Sequence, residues 1–384
     1  MTRPEPAVGT RAPGLHRLSP EARLDFVAAA LGVARAALAP LEAGAPVEVL
    51  ATLSEDVVGA FPMPLALVPN LRLNGRDAWV PLATEERSVA AALAAGARLL
   101  RGGDGVRVTP APREAEAQIL VTGVVDRAAA SAAVLACRDE LLARAAQGHP
   151  ALAAAGGGPL RLLARAPGAG DLLAVHLVVA VGEAMGANLV TAMAEALAPR
   201  VEALAGGRAL AAIVTNDPAG RVARAEGRVP LTELGADVAD RIARLSEAAE
   251  ADPARAVTHN KGVMNGATGV ALATGQDTRA LEAAAHAHAA RAGTVAPLAA
   301  WRVEGDALVG RLELPTPVGL VGGAAAAHPV ARAARAVAGV TRADHLSELL
   351  AAVGLAQNLA ALRALVTFGI IEGHHRLREA RGAP

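Results

Sequence analysis

Of the 37 basic side chains in this chain that are not histidine, one is a lysine, Lys261. It stands in Thr258-His259-Asn260-Lys261-Gly262-Val263-Met264-Asn265-Gly266. Arginine has replaced lysine everywhere else, and a guanidinium does not release its proton in a protein, whereas an ammonium is a compact charge that its surroundings can tune. A lysine that survives this bias points either to chemistry, as a group that gives up a proton or sits as a compact charge, or to chance survival. Asparagine is also rare, with seven in the chain, and five of them (Asn188, Asn216, Asn260, Asn265 and Asn358) fall in glycine-rich or otherwise unusual stretches. Two acids could act with the lysine. Asp277 follows Gly275-Gln276 at a predicted helix start, where it reads either as an N-cap or as a carboxylate that keeps an ammonium charged and oriented. Glu86, in the pair Glu85-Glu86 between a strand and a helix, could supply protons. The sequence alone does not bring these groups together.

Three further stretches could carry ligands. In Gly182-Glu183-Ala184-Met185-Gly186-Ala187-Asn188, small residues pass from a strand into a helix and let an anion such as a pyrophosphate approach backbone N–H groups. A tight structural turn explains the same residues, and the stretch is not a Gly-x-Gly-x-x-Gly fingerprint. Pro317 to Gly323 is a glycine-rich apolar loop that suits either a ligand or a buried turn. His374-His375 lies ten residues from the last residue. His286 and His288 sit two apart on a predicted helix, a spacing that faces them away from each other and argues against a metal.

The elements that must position these residues follow from periodicity and turn signals. Helices are predicted over 17–50, with Ser19-Pro20 as cap and first turn. Extended segments over 62–82 break at Asn74-Gly75, and a helix runs from Ser88 to Leu100. Between 113 and 216 the order is strand (117–125), helix (128–146), strand (159–166), strand (171–181), helix (188–204) and strand (209–216). This β-α-β-β-α-β order is the ferredoxin-like arrangement. The remainder carries helices over 234–250, 277–292 and 343–366 and a hairpin at 298–304 and 307–314. The fold class expected is α+β: a large, mainly helical α/β domain with an inserted ferredoxin-like small domain. Its boundaries are 1–110 and 219–371 for the large domain, 111–218 for the insert and 372–384 for a terminal remnant.

Composition narrows the function. Formal net charge is zero, with the charges spread along the chain, so the basic footprint of nucleic-acid binding is absent. The start lacks an apolar leader and the longest uncharged apolar runs fall short of the ~20 residues of a membrane span; the expectation is a soluble, cytoplasmic protein. Cys137 is the only cysteine, which leaves no disulfide within the chain.

Taken together, the motifs resemble those of the class II bacterial 3-hydroxy-3-methylglutaryl-coenzyme A reductases, in order and over nearly the whole chain. The anchors are Glu55-Asp56-Val57-Val58-Gly59, Asn74-Gly75-Arg76-Asp77, Glu85-Glu86, Glu183 to Asn188, Thr258 to Gly266, Ala273 to Asp277, Pro317 to Gly323, Val353 to Asn358 and Gly373-His374. The resemblance implies an NAD- or NADP-dependent oxidoreductase that interconverts the acyl-CoA with mevalonate and coenzyme A through two hydride transfers, with NAD the expected cofactor and NADP possible. It implies that Lys261 stabilises the oxyanion, Glu86 donates protons, Asp277 couples the two, and His374 protonates the departing coenzyme A thiolate. By position, Arg255, Ser88, Asn265 and Asn358 would serve the hydroxymethylglutaryl group and Arg11 the coenzyme A phosphates. Glu183, Ala184, Met185, Gly186, Ala187, Asn188, Asn216 and His149 would serve the nicotinamide cofactor.

Departures from the family pattern bear on this reading. His149 replaces an aspartate that would repel a 2′-phosphate. Few residues follow His374 where the family has a C-terminal flap domain. Arg87 replaces a proline beside Glu86. The resemblance implies a homodimer or a higher homo-oligomer, and no metal, membrane or nucleic acid. The alternative is a flapless, non-catalytic paralogue that binds acyl-CoA or a regulatory partner.

Overall fold

The computed structural model describes residues 9–217 and 220–369. In chain order its strands are β1 (Leu65–Leu73), β2 (Arg76–Ala83), β3 (Val106–Thr109), β4 (Glu114–Thr122), β5 (Gly158–Arg165), β6 (Leu173–Ala180), β7 (Arg208–Val214), β8 (Val222–Pro230), β9 (Ala299–Glu304) and β10 (Ala307–Pro315). Its longer helices are α1 (Pro20–Leu31), α2 (Val89–Arg101), α3 (Arg127–Ala136), α4 (Arg138–Ala146), α5 (Ala187–Ala205), α6 (Ala236–Ala251), α7 (Pro253–Ala273), α8 (Thr278–Ala289), α9 (Pro329–Val337) and α10 (Ala343–Thr367). The chain divides into two compact units, one of residues 1–111 with 222–384 and one of residues 112–221.

The first unit is built on a six-stranded sheet in the order β2-β1-β3-β8-β10-β9. Helix α10 is buried on every side from Leu349 to Ala360, as a helix at the centre of a core must be. It is also the one described helix long and apolar enough to cross a membrane. Two glycines let other elements close on the core. A Cβ at Gly96 on α2 would stand 2.1 Å from the Ala356 carbonyl oxygen of α10, and one at Gly269 on α7 would stand 2.5 Å from Leu82 of β2. The outer face of β8 and β10 is a charged ladder, with Arg224 3.1 Å from Glu313 and Arg311 2.9 Å from Glu226. A cavity of about 840 Å³ opens on that face, but its walls hold none of the candidate site residues.

The second unit is a four-stranded antiparallel sheet in the order β5-β6-β4-β7. Alternate residues of β4 (Ala117, Ile119, Val121) and β6 (Leu173, Val175, Leu177) form a core with Val134 of α3, Leu141 of α4 and Val190, Met193 and Leu197 of α5. Strand, helices, two strands, helix and strand follow in the β-α-β-β-α-β sense, and the expected α+β class with a ferredoxin-like insert is borne out.

Local differences from the sequence expectation have physical reasons. The single helix expected over 128–146 is two, broken at Cys137, where φ −96° and ψ 15° leave the helical range. Strands β3 and β8 were not anticipated. In β8 the inward positions are Ala223, Ala225, Gly227 and Val229, too small a set to register as an apolar alternation among arginines and Glu226. The lysine motif lies on the 21-residue helix α7 despite three glycines in its interior. Each such glycine costs up to about 1 kcal/mol of helix propensity relative to alanine, offset by the close packing that Gly269 permits against β2.

Candidate active site

Helix α7 begins on a local signal. Asp252 accepts the Ala254 N–H at 2.9 Å and Pro253 occupies the first turn, an arrangement suited to the unpaired N–H groups of a helix start. Thr258, Lys261, Asn265 and Thr268 then recur at spacings of three and four, so they share a face. Thr258 and Lys261 are exposed, and Asn265 and Thr268 are partly buried.

Opposite it, 175 residues earlier in the chain, stands Glu86. The Lys261 Nζ lies 2.8 Å from Glu86 Oε2, with 59% of the lysine side chain and 39% of the glutamate side chain exposed. The turn that presents the carboxylate is tightly specified. Thr84 Oγ1 accepts the Glu86 N–H at 3.1 Å, and Ser88 takes a left-handed φ of 78° immediately before α2. Non-glycine residues adopt that conformation at a cost, and such residues cluster at functional sites. An ion pair this exposed contributes no more than about 1 kcal/mol to stability. Chemically it places an ammonium and a carboxylate within one hydrogen bond of each other.

Asp277 is not part of that pair. Its Oδ1 accepts the N–H groups of Arg279 at 3.0 Å and Ala280 at 3.1 Å, the N-cap geometry of α8, and its ion-pair partner is Arg279 at 3.4 Å. Its neighbour Gln276 donates to the Thr274 carbonyl and accepts the Gly319 N–H at 2.9 Å. The glycine-rich loop after Pro317 is thereby tied to the segment that carries Asp277.

Arg255, six residues before Lys261 on α7, is half-buried and has no hydrogen-bond or ion-pair partner among the described residues. Burial lowers the pKa of its guanidinium from the usual arginine value, and its fork remains available for a carboxylate. Asn265 stands one turn beyond Lys261, partly exposed. Asn358, in contrast, is 1% exposed, and both halves of its amide are engaged by protein groups: Oδ1 accepts from Trp301 Nε1 at 2.8 Å and Nδ2 donates to the His259 carbonyl at 3.2 Å. Arg11 is exposed in a segment fastened through Thr10, whose N–H donates to Asp77 and whose hydroxyl accepts from Arg101 at 2.8 Å. Burial alone would raise the Asp77 carboxyl pKa, but Arg101, the Thr10 N–H and Arg72 outweigh it and hold the carboxyl below the usual range. The Asn74-Gly75-Arg76-Asp77 motif thus anchors the fold: Asn74 also exchanges two bonds with the backbone of Val108.

The candidate cofactor residues lie in the second unit. Gly186 caps α5 with a left-handed φ of 99° and no side-chain hydrogen bond, and a Cβ there would meet Val181 at 2.6 Å. The turn before it is clasped by Arg113, whose Nε and Nη2 donate to the carbonyls of Gly182 and Ala184, each at 3.0 Å. Sequence reasoning missed Arg113; nothing in its immediate surroundings marks it. Ala184, Met185 and Ala187 are partly buried in this turn and Glu183, Asn188 and Asn216 are exposed around it. His149 precedes the short helix Pro150–Ala154 and is half-buried. The two helical histidines part company: His286 is 3.3 Å from Glu282, and His288 is 3.0 Å from Glu313. His374 and the rest of 370–384 lie outside the described residues.

Comparison with known proteins bears on what this arrangement does. The model of the family described as hydroxymethylglutaryl-coenzyme A reductase matches residues 19–379. The chain is 40% identical over 376 residues to the 3-hydroxy-3-methylglutaryl-coenzyme A reductase of Archaeoglobus fulgidus, covering 97% of this chain and 86% of that protein. It is 33% identical to a probable reductase of the same kind from Borreliella burgdorferi, covering 85% of this chain and 77% of that one. A structure of the class II enzyme of Streptococcus pneumoniae bound to NADPH superposes with a TM-score of 0.89 at 36% identity, over 92% of this chain and 99% of that one. The chain belongs to the hydroxymethylglutaryl-coenzyme A reductase family and is an oxidoreductase of that activity, interconverting 3-hydroxy-3-methylglutaryl-coenzyme A with mevalonate and coenzyme A.

Proposed function

We propose that Lys261 and Glu86 are the catalytic pair of this reductase, and the 2.8 Å contact between them carries the proposal. Reduction of a thioester carbonyl builds negative charge on its oxygen, and a fixed ammonium stabilises that charge more in the transition state than in the ground state. Lys261 provides the ammonium. Glu86, one hydrogen bond away, gives a proton to the oxygen as the hemithioacetal forms, takes it back as the thiolate leaves and the aldehyde forms, and gives one again as the alcohol forms. Asp277 acts at longer range, through the field of its carboxylate rather than by direct pairing. Arg255 grips the free carboxylate of the hydroxymethylglutaryl group, with Ser88 and Asn265 beside it, and Arg11 meets the coenzyme A phosphates. His374 protonates the departing thiolate, a step suited to an imidazolium near neutral pH.

Residues 112–221 form the cofactor unit in this reading, with residues 1–111 and 222–371 the substrate and dimerisation unit. The bare helix start at Gly186 and the turn clasped by Arg113 fit a diphosphate, so NAD or NADP would be held by Glu183 to Asn188, Asn216 and His149. Two reduced cofactors, bound one after the other, would each supply one hydride. Because His149 brings no negative charge to the position where the NADH-preferring form of the family has an aspartate, both cofactors are accepted. The protein works as a homodimer in the cytoplasm, as the family resemblance implies; the fully exposed Val58 and Phe61 support an interface.

The test is turnover by purified protein of mevalonate with coenzyme A and either NAD or NADP, followed by the absorbance of the reduced cofactor. Reduced cofactor should form only with all three components present. Its absence with both cofactors, beside measurable binding of acyl-CoA, would establish a binding protein instead.

A further inference from the structure

Lys261 projects a flexible, largely exposed side chain, so the position of its ammonium depends on how firmly the backbone beneath it is held. The two residues before it are both buried, and both are tied to other elements by polar groups. Asn260 donates to the Ala296 carbonyl at 2.9 Å and accepts the Leu298 N–H at 2.7 Å, which fixes α7 to the lead-in of β9. His259 offers its carbonyl to Asn358 Nδ2 of α10 at 3.2 Å, and Asn358 Oδ1 receives the indole N–H of Trp301 at 2.8 Å. Trp301 is itself pinned, its backbone N–H donating to Ser246 Oγ of α6 at 2.9 Å. The amide orientation of Asn358 follows from the network, since only one assignment faces oxygen to the indole donor and nitrogen to the carbonyl.

We propose that Trp301, acting through Asn358, is a positioning residue that sets the location of the Lys261 ammonium for catalysis. The proposal rests on the reading of Lys261 as catalytic. A buried polar network of this kind rigidifies and specifies one geometry, while an apolar core of the same shape can be as stable. The chain's other tryptophan makes the contrast within one molecule. Trp79 is equally buried and packs edge-on against Phe26, yet among the described residues its indole nitrogen has no hydrogen-bond partner. One indole N–H is used and one is idle, which separates the effect of the bond from the effect of removing a tryptophan.

Because Lys261 is the only lysine, protein grown on 13C-lysine gives a single Cε signal that reports its surroundings without reference to activity. Trp301→Phe should lower kcat about tenfold or more, in keeping with the sensitivity of turnover to misplaced catalytic groups, with KM changed less than about twofold. It should also move the Lys261 signal toward its position in Glu86→Gln. Trp79→Phe should do neither. Where Trp301→Phe yields too little folded protein, Asn358→Ser cuts the same link from the other side and should give the same pair of changes. An unmoved Lys261 signal with wild-type kcat in either variant overturns the proposal, as do equal losses of kcat in Trp301→Phe and Trp79→Phe. Lys261→Arg, measured alongside, keeps the two readings apart: full activity there refutes the role of Lys261, while loss there with no effect of Trp301→Phe refutes only the positioning.

Discussion

At the scale of single residues, the site combines one contact that suits chemistry with buried groups that resist charge. His259 lies 1% exposed, and a backbone contact with Ala299 opposes only in part what burial does to its ring. Burial first, and then the charge of Arg255, push its pKa from 6.5 down to about 4. Below pH 6.5 the unfolded chain therefore takes up a proton that the folded chain refuses, so stability falls as pH drops from about 6.5 toward 4. At pH 5 this one group should cost about 2 kcal/mol relative to pH 7.5. Urea unfolding of the native protein and of His259→Leu at the two pH values should show a smaller acid loss in the variant by about that amount; equal losses would contradict the burial of a neutral imidazole. Residue chemistry was the most legible part of the sequence, because a biased composition exposes what it spares. Lys261 and Glu86 were both singled out, and the structure puts them in contact. For Asp277 the N-cap reading and the carboxylate reading were both open, and the geometry shows the cap. Trp301 escaped notice because a core tryptophan carries no sign that its N–H has a partner on another helix.

The elements were less legible, for a reason rooted in the same composition. Hydrophobic periodicity is a strong signal when large apolar residues recur, and here alanine and glycine hold many of the inward positions. Strand β8 was missed on that account, and β3, whose inward residues are Val106 and Val108, because it is only four residues long, although the apolar runs of β4 and β6 and the ferredoxin-like order were readable. Helix α7 shows the cost of small residues and their use together: the glycines that weaken it as an isolated helix let it lie against β2 and α10. Gly269→Val should therefore overpack the contact with Leu82, where even a Cβ would come within 2.5 Å. A loss of about 2 to 3 kcal/mol is expected, read as a lower denaturation midpoint with an unchanged slope. Wild-type stability in that variant would show that the α7 and β2 contact is looser than described.

For the whole molecule, family membership makes the architecture intelligible: one unit carries the acid and the lysine, and the other carries a turn suited to a dinucleotide. The proposed homodimer has its own consequence. Val58 and Phe61 stand 101% and 91% exposed in a segment without regular structure, a cost in water that a second copy would remove. Replacing both with aspartate should convert a dimer to a monomer, as measured by light scattering after size exclusion, whereas a mass that remains dimeric would place the interface elsewhere. The order of motifs along the chain makes the family readable from the sequence; side-chain contacts across 175 residues are not, because no spacing rule relates Glu86 to Lys261.

The central claim is that Lys261 works as an ammonium held against Glu86, and Lys261→Arg addresses it most directly. Arginine keeps the charge and is the residue this chain uses at its other basic positions, so folding and melting temperature should stay close to the native values. Its planar fork cannot reproduce a compact charge at Nζ, and kcat should fall by about 100-fold or more. Turnover within about threefold of the native protein would contradict the assignment.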